Sequence, residues 1–280
     1  MPFDIRGEQF VNPTILMYHS VSEHEPTDPY GVSKSAFRDQ ISWLIDSGYQ
    51  FVSLSTLVHA LRNGISERLK KAVALTFDDG YQDFLIHAVP VLVRHQLPAT
   101  VFIVTDRMGQ TALWSTYNKR APLMSEAEVR YVKSQGVSLG SHTLTHPYLT
   151  ALSDEELKRQ LMSSLAALTD LGETFCSFAY PFGEYTEREA AAVKAAGYKC
   201  AVTVSGVIDP ANADLFLLGR LGVDHTMDFR SFKRAFPCPR PWNDWITGRA
   251  RSLAHAVQRS VWSGKSDSRA SGRTHTGTKR

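Results

Sequence analysis

Apolar runs rich in β-branched and aromatic residues alternate with helix-period segments from residue 14 to residue 223. That alternation constrains the fold more than any other feature. The strand candidates are 14–18, 50–53, 72–77, 99–104, 137–140, 175–180, 200–204 and 217–223. Several are nearly unbroken apolar runs, the pattern of strands covered on both faces. Between them, Ser33 is placed to cap a helix carrying Phe37, Ile41, Leu44 and Ile45 on one face and ending at Gly48. Ser153 and Glu156 have capping-box spacing before Leu157, Leu161, Leu165 and Leu168, and a further helix over 187–196 closes at Gly197. Eight strands with intervening helices predict an α/β fold, a (β/α) barrel, with a doubly wound sheet as the competitor. The least patterned interruption, 107–123, reads as a loop over a site.

A chain of 280 residues with 43% hydrophobic and 21% charged residues builds such a core and excludes collagen and coiled coil. No run of about 18 apolar residues is present, which excludes a transmembrane helix. Residues 1–14 lack the apolar core of a signal peptide, so the expected location is cytoplasmic. The net charge of +3 is unevenly placed. Residues 263–280 hold five cations and one acid, leaving −1 for residues 1–262. The body is therefore not basic, and no nucleic-acid partner is expected. The three cysteines form no CxxC pair and read as reduced thiols.

Residues 246–262 place Ile246, Ala250, Leu253, Ala254, Val257 and Val261 on one helical face, with Arg249, Arg251 and Arg259 largely elsewhere. Such a helix most often packs on its own domain, and docking on a membrane surface or on a partner is the minority reading. The polar stretch 263–280 reads as a disordered basic tail.

Three motifs follow predicted strand ends, where barrel enzymes place their chemistry. In ALTFDDG (74–80), Asp78 and Asp79 end a strand and Gly80 permits a turn. Asp-Asp-Gly is ordinary turn chemistry, but adjacent carboxylates there point in different directions and are able to serve a metal and a reacting water separately. In GSHTLTHP (140–147), His142 and His146 stand at i and i+4. Pro147 favours a loop, in which two imidazoles are able to converge on one cation. With a carboxylate they make a two-histidine, one-carboxylate set that leaves coordination positions open. SFAYPFGEY (177–185) is a strand entering an aromatic turn, either a packed rigid loop or a substrate platform. His19, in ILMYHS (15–20), ends the first strand, a place where a lone histidine is more often a satisfied core residue.

The ordered set TFDDG, SHTLTH and YPFG resembles the metal-dependent polysaccharide deacetylases, the NodB-homology family, over residues 13–237. The opening ILMYHSV is similar to the branch acting on poly-N-acetylglucosamine-type exopolysaccharides. The resemblance implies a distorted barrel of seven or eight strands over 13–237; the amphipathic helix read from the periodicity is assigned to 238–262 and the tail to 263–280. It makes Asp79, His142 and His146 ligands of a zinc-like divalent metal, with cobalt, nickel and iron as alternatives. It makes Asp78 the general base and His19 the general acid. The family's usual arginine near the YPFG proline is replaced here by Ala179. Arg220 is the candidate substitute, and it joins Tyr180 and Phe182 as substrate-binding candidates. His225 fits the family's late histidine motif poorly.

The implied reaction removes N-acetyl groups from an acetylated glycan. The alternatives are an O-acetyl esterase or small-amide hydrolase on the same site, or a non-catalytic glycan-binding barrel. Without a signal peptide, the expected place of action is the cytoplasm, at the inner membrane surface if the basic helix holds the protein there.

Overall fold

The computed structural model describes residues 12–236, apart from 25, 27, 65–68, 70, 116–120, 205 and 207. The expected C-terminal helix and tail lie outside these residues. Buried apolar strands supply the frame, and the first of them is β1 (Thr14–Tyr18). Two short strands, β2 (Val21–Ser22) and β3 (Val32–Ser33), pair with each other and lead into α1 (Lys34–Asp46). Then come β4 (Gln50–Phe51), α2 (Leu54–Arg62) and β5 (Ala72–Phe77), whose six residues AVALTF are all buried. A single π turn, Phe84–Ala88, runs into α3 (Val89–His95), followed by β6 (Ala99–Ile103) and α4 (Glu126–Ser134). The chain continues through β7 (Ser138–Ser141), α5 (Asp154–Asp170), β8 (Ser177–Ala179), α6 (Glu187–Ala196) and β9 (Cys200–Val202). It closes with β10 (Leu221–Gly222) and α7 (Phe229–Ala235).

All pairings in the main sheet are parallel, in the order β10-β1-β5-β6-β7-β8-β9, with β4 beside the first two residues of β5. A single bridge, Val202 opposite Leu218, brings the two ends together. The sheet is thus a curled, distorted (β/α) barrel, and its strand ends converge on one mouth. The doubly wound alternative does not describe it.

Local chemistry explains the element limits. Ser33, Ser53, Ser125, Ser153, Thr186 and Asp228 each accept a backbone N–H at a helix start. The strand expected over 50–53 stops early because Ser53 is spent as a cap. At α5 only half of the expected capping box forms. Ser153 accepts from Glu156 N, while the Glu156 carboxylate turns to Arg159 and Gln160. The reciprocal boxes occur instead at Ser125/Glu128 and Thr186/Glu189. The strand expected over 217–223 shrinks to two residues and a bridge. There the Gly219 backbone lies so close to Gly206 that a Cβ would sit 2.5 Å from its carbonyl carbon.

Gly140 has a comparable role next to the site. A Cβ on it would lie 2.3 Å from the Phe102 ring. Only glycine lets β7 pass this ring and deliver Ser141 and His142 to the mouth.

Candidate active site

β5 pairs with β1 along its length, and Asp78 N donates to Tyr18 O at 2.9 Å, so the ladder runs one residue beyond the strand. Asp79 then turns into the left-handed region at φ 72, with Gly80 following at φ 74. This pair of positive φ values sends the two carboxylates in different directions.

Asp78 is gripped by Arg220, whose Nη1 and Nη2 donate to Oδ1 and Oδ2, each at 2.7 Å. The guanidinium is itself anchored, with Nε on Thr203 O at 2.7 Å and Nη1 also on Thr76 Oγ1 at 3.2 Å. Arg220 is 1% exposed and lies over the Phe102 ring. Burial pushes the Asp78 carboxyl up, but the charge and hydrogen bonds of Arg220 outweigh it and hold the group below its ordinary range. Asp78 is therefore an ionised carboxylate in a dry place. His19 ends β1 with Nε2 3.9 Å from Asp78 Oδ2; its side chain is 18% exposed and packs beside Tyr30.

Asp79 meets two histidines from the loop after β7. His142 N donates to Ile103 O at 2.9 Å. The loop is pinned by Gln160 of α5, whose Oε1 accepts from Leu144 N and Thr145 N. Thr143 and His146 both take left-handed backbone, at φ 69 and 61, and His146 N donates to Thr143 Oγ1. The His142 ring donates from Nδ1 to Ala179 O at 2.8 Å. That fixes the tautomer and leaves Nε2 as a lone pair facing the site. Burial, with His146 beside it, lowers the His142 pKa to about 4, so its ring is neutral near pH 7.

The three facing atoms form a small triangle. His142 Nε2 and His146 Nε2 are 3.2 Å apart, and they lie 3.5 and 3.3 Å from Asp79 Oδ1. Four-coordinate zinc, with ligands at about 2.0–2.1 Å, keeps its donors about 3.4 Å apart. Asp79 Oδ1 is moreover buried without a hydrogen-bond partner. A carboxylate oxygen and two imidazole nitrogens converging at this spacing fit a divalent cation, and all three residues are buried.

The remaining candidates divide. Phe182, itself at φ 59, sets its ring edge-on to His146 at 4.5 Å and stacks on Tyr148 at 3.9 Å. Tyr180 is fully buried and donates its hydroxyl to Phe216 O. Its ring builds the wall beneath the site and is closed to a ligand. Arg220 is equally sealed, and its contact is Asp78, not open space where a substrate would lie. His225 is exposed and donates to Pro29 O. Sequence reading missed two residues. Trp114 stacks on the His146 ring at 4.5 Å and 13°. Tyr81 is buried close enough to Asp79 that burial and this carboxylate together push its hydroxyl well above the ordinary range. A lone tryptophan inside a polar loop was the available signal for the first. Nothing separates the second from an ordinary core tyrosine.

Among known families, the polysaccharide deacetylase model matches residues 66–201, the span that contains Asp78, Asp79, His142 and His146. Residues 66–201 thus carry a polysaccharide deacetylase domain. With the relatives below, this makes the chain a deacetylase hydrolase. It is 27% identical over 229 residues to YxkH of Bacillus subtilis, covering 81% of the chain and 77% of YxkH. It is 34% identical over 140 residues to the poly-beta-1,6-N-acetyl-D-glucosamine N-deacetylase of Escherichia coli strain K12, a match spanning 48% of this deacetylase and 21% of that enzyme. Its fold is shared with the Streptococcus pyogenes deacetylase PplD, solved in complex with acetate, at 29% identity and a TM-score of 0.68, over 81% of this chain and 98% of that one. No described helix of the deacetylase is long and apolar enough to cross a membrane. Membrane association has no support, because the basic helix expected to provide it lies outside the described residues.

Proposed function

We propose that this deacetylase hydrolyses N-acetyl groups on a glycan, with Asp79, His142 and His146 holding a divalent metal, Asp78 as general base and His19 as general acid. The observation that carries the reading is the division of labour at one strand end. Asp79 faces two neutral-capable imidazoles, while its neighbour Asp78 is held ionised by Arg220 and faces His19. A cation in the triangle would polarise the amide carbonyl and lower the pKa of a bound water.

The residues around it do the proton work. Asp78 accepts the proton of the attacking water, and Arg220 prevents it from being protonated beforehand. Nε2 of His19 delivers a proton to the departing nitrogen, which is a poor leaving group without one. Water and the amide give a free amine and acetate. Oδ2 of Asp78 and Nε2 of His19 lie close enough to serve the two ends of the same amide. Phe182, half-buried and backed by Tyr148, offers an aromatic surface beside the triangle against which a sugar ring is able to pack.

Similarity to poly-beta-1,6-N-acetyl-D-glucosamine N-deacetylases supports N-acetylglucosamine polymers as the substrate class. The test is acetate release from N-acetylglucosamine oligomers by protein supplied with zinc or cobalt, beside an EDTA-treated sample. Metal-dependent release is the expected result. Metal uptake without release turns the substrate toward O-acetyl groups or small amides.

A further inference from the structure

The two histidines of the triangle are held in unlike ways. His142 has the usual arrangement for a metal-binding imidazole: its second nitrogen donates to a backbone carbonyl, Ala179 O. His146 has no such bond, because its Nδ1 is buried without a hydrogen-bond partner. Nor does a relaxed backbone aim it, since the residue is left-handed at φ 61.

Among the described residues, three rings remain to fix it. His142 and Phe182 approach edge-on at 4.7 and 4.5 Å, and Trp114 lies flat against it at 4.5 Å and 13°. Of these three, only Trp114 covers a face of the imidazole, and so opposes rotation of the ring about its Cβ–Cγ bond.

Trp114 is well placed to do so because its loop is a braced strap. Thr111 bridges Pro122, Ala112 N donates to Ala121 O, and Leu123 N donates to Gln110 O. Met124 N donates to Gly80 O, tying the strap to the residue after Asp79. The indole also packs on the cluster of Tyr81, Ala112, Ala121 and Leu123. Leu113 beside it is 65% exposed, so the strap reaches the surface at this point. One strap therefore touches both the Asp79 turn and the His146 ring.

We propose that Trp114 is the positioning residue of His146, its stacked indole replacing the hydrogen bond that orients His142. The proposal rests on the metal reading above, and its test separates the two. Full-length wild type, Trp114→Ala and Trp114→Phe are stripped with EDTA and titrated with zinc against a chromophoric chelator. Thermal unfolding of the metal-free proteins is recorded alongside.

Loss of an orienting partner weakens metal binding by about 10–100-fold. The expected result is a loss in that range for Trp114→Ala and near-wild-type affinity for Trp114→Phe, which keeps a stacked ring. The metal-free unfolding midpoints of Trp114→Phe and wild type should coincide. Cobalt should quench tryptophan fluorescence in wild type, and the quench should be largely absent in Trp114→Phe.

Zinc affinity of Trp114→Ala equal to wild type overturns the proposal. So does an equal loss in Trp114→Phe and Trp114→Ala, because stacking would then not be what matters. Wild type that binds no zinc overturns the metal reading instead.

Discussion

Arg220 and Asp78 form a two-pronged pair across 142 residues of sequence, each prong 2.7 Å long, with both side chains almost wholly buried. Removing one partner strands the other charge in a dry site. Arg220→Met should therefore cost about 3–5 kcal/mol of stability, read by denaturant unfolding. Arg220→Lys keeps a charge but not the fork. With less to counter burial, the Asp78 carboxyl moves up, so the acid limb of kcat/KM against pH should shift to higher pH. An unmoved limb in a folded Arg220→Lys protein would show that Asp78 is not the titrating base.

Asp83 gives a pH signature of stability separate from catalysis. Burial pushes its carboxyl up to about 6, against the opposing hydrogen bond from Ser20. The folded state thus binds this proton more tightly than the unfolded chain, whose ordinary value is about 3.9. The stabilisation is fully present below that value and is lost as pH rises through about 6. Asp83→Asn should remove the dependence. Relative to wild type it should gain about 1–2 kcal/mol at pH 8, scaled down because the side chain is only half-buried, and gain nothing at pH 4. Thermal unfolding in EDTA at the two pH values measures this.

Gly140→Ala should destabilise by about 1–3 kcal/mol through overpacking. Its new methyl would meet Phe102 at 2.3 Å and Ser177 Oγ at 2.9 Å. The displaced strand carries His142, so zinc affinity should fall with stability. Phe102→Leu in the same chain should recover part of both.

The fold was largely legible because its central strands are buried on both faces. β1 and β5 fall on the expected limits, since an unbroken apolar run has no other stable place. The helix at 84–95 was missed because Pro90 and a π turn disturb its period. β10 was overestimated because Gly219 and the inward-turned Arg220 interrupt what reads as an apolar run.

In the site, the spacing of His142 and His146 and their place after a strand marked them as a pair. Which of the two aspartates faces them depends on the left-handed turn at Asp79, and no spacing reveals that. The family pattern supplied the choice. The Arg220–Asp78 contact is set by strands that meet only when the sheet curls, and Tyr180 turned inward because its hydroxyl has a carbonyl to bind in the wall. Trp114 sat in a loop with no period to read.

Asp78 and Asp79, adjacent in sequence, do different work, and zinc content and acetate release measured together on Asp78→Asn and Asp79→Asn separate their roles. Asp78→Asn should retain one zinc per chain with turnover reduced at least about 100-fold, while Asp79→Asn should lose the zinc itself. An Asp78→Asn protein that turns over like wild type, or that loses its zinc while Asp79→Asn keeps it, would rule out this division of labour.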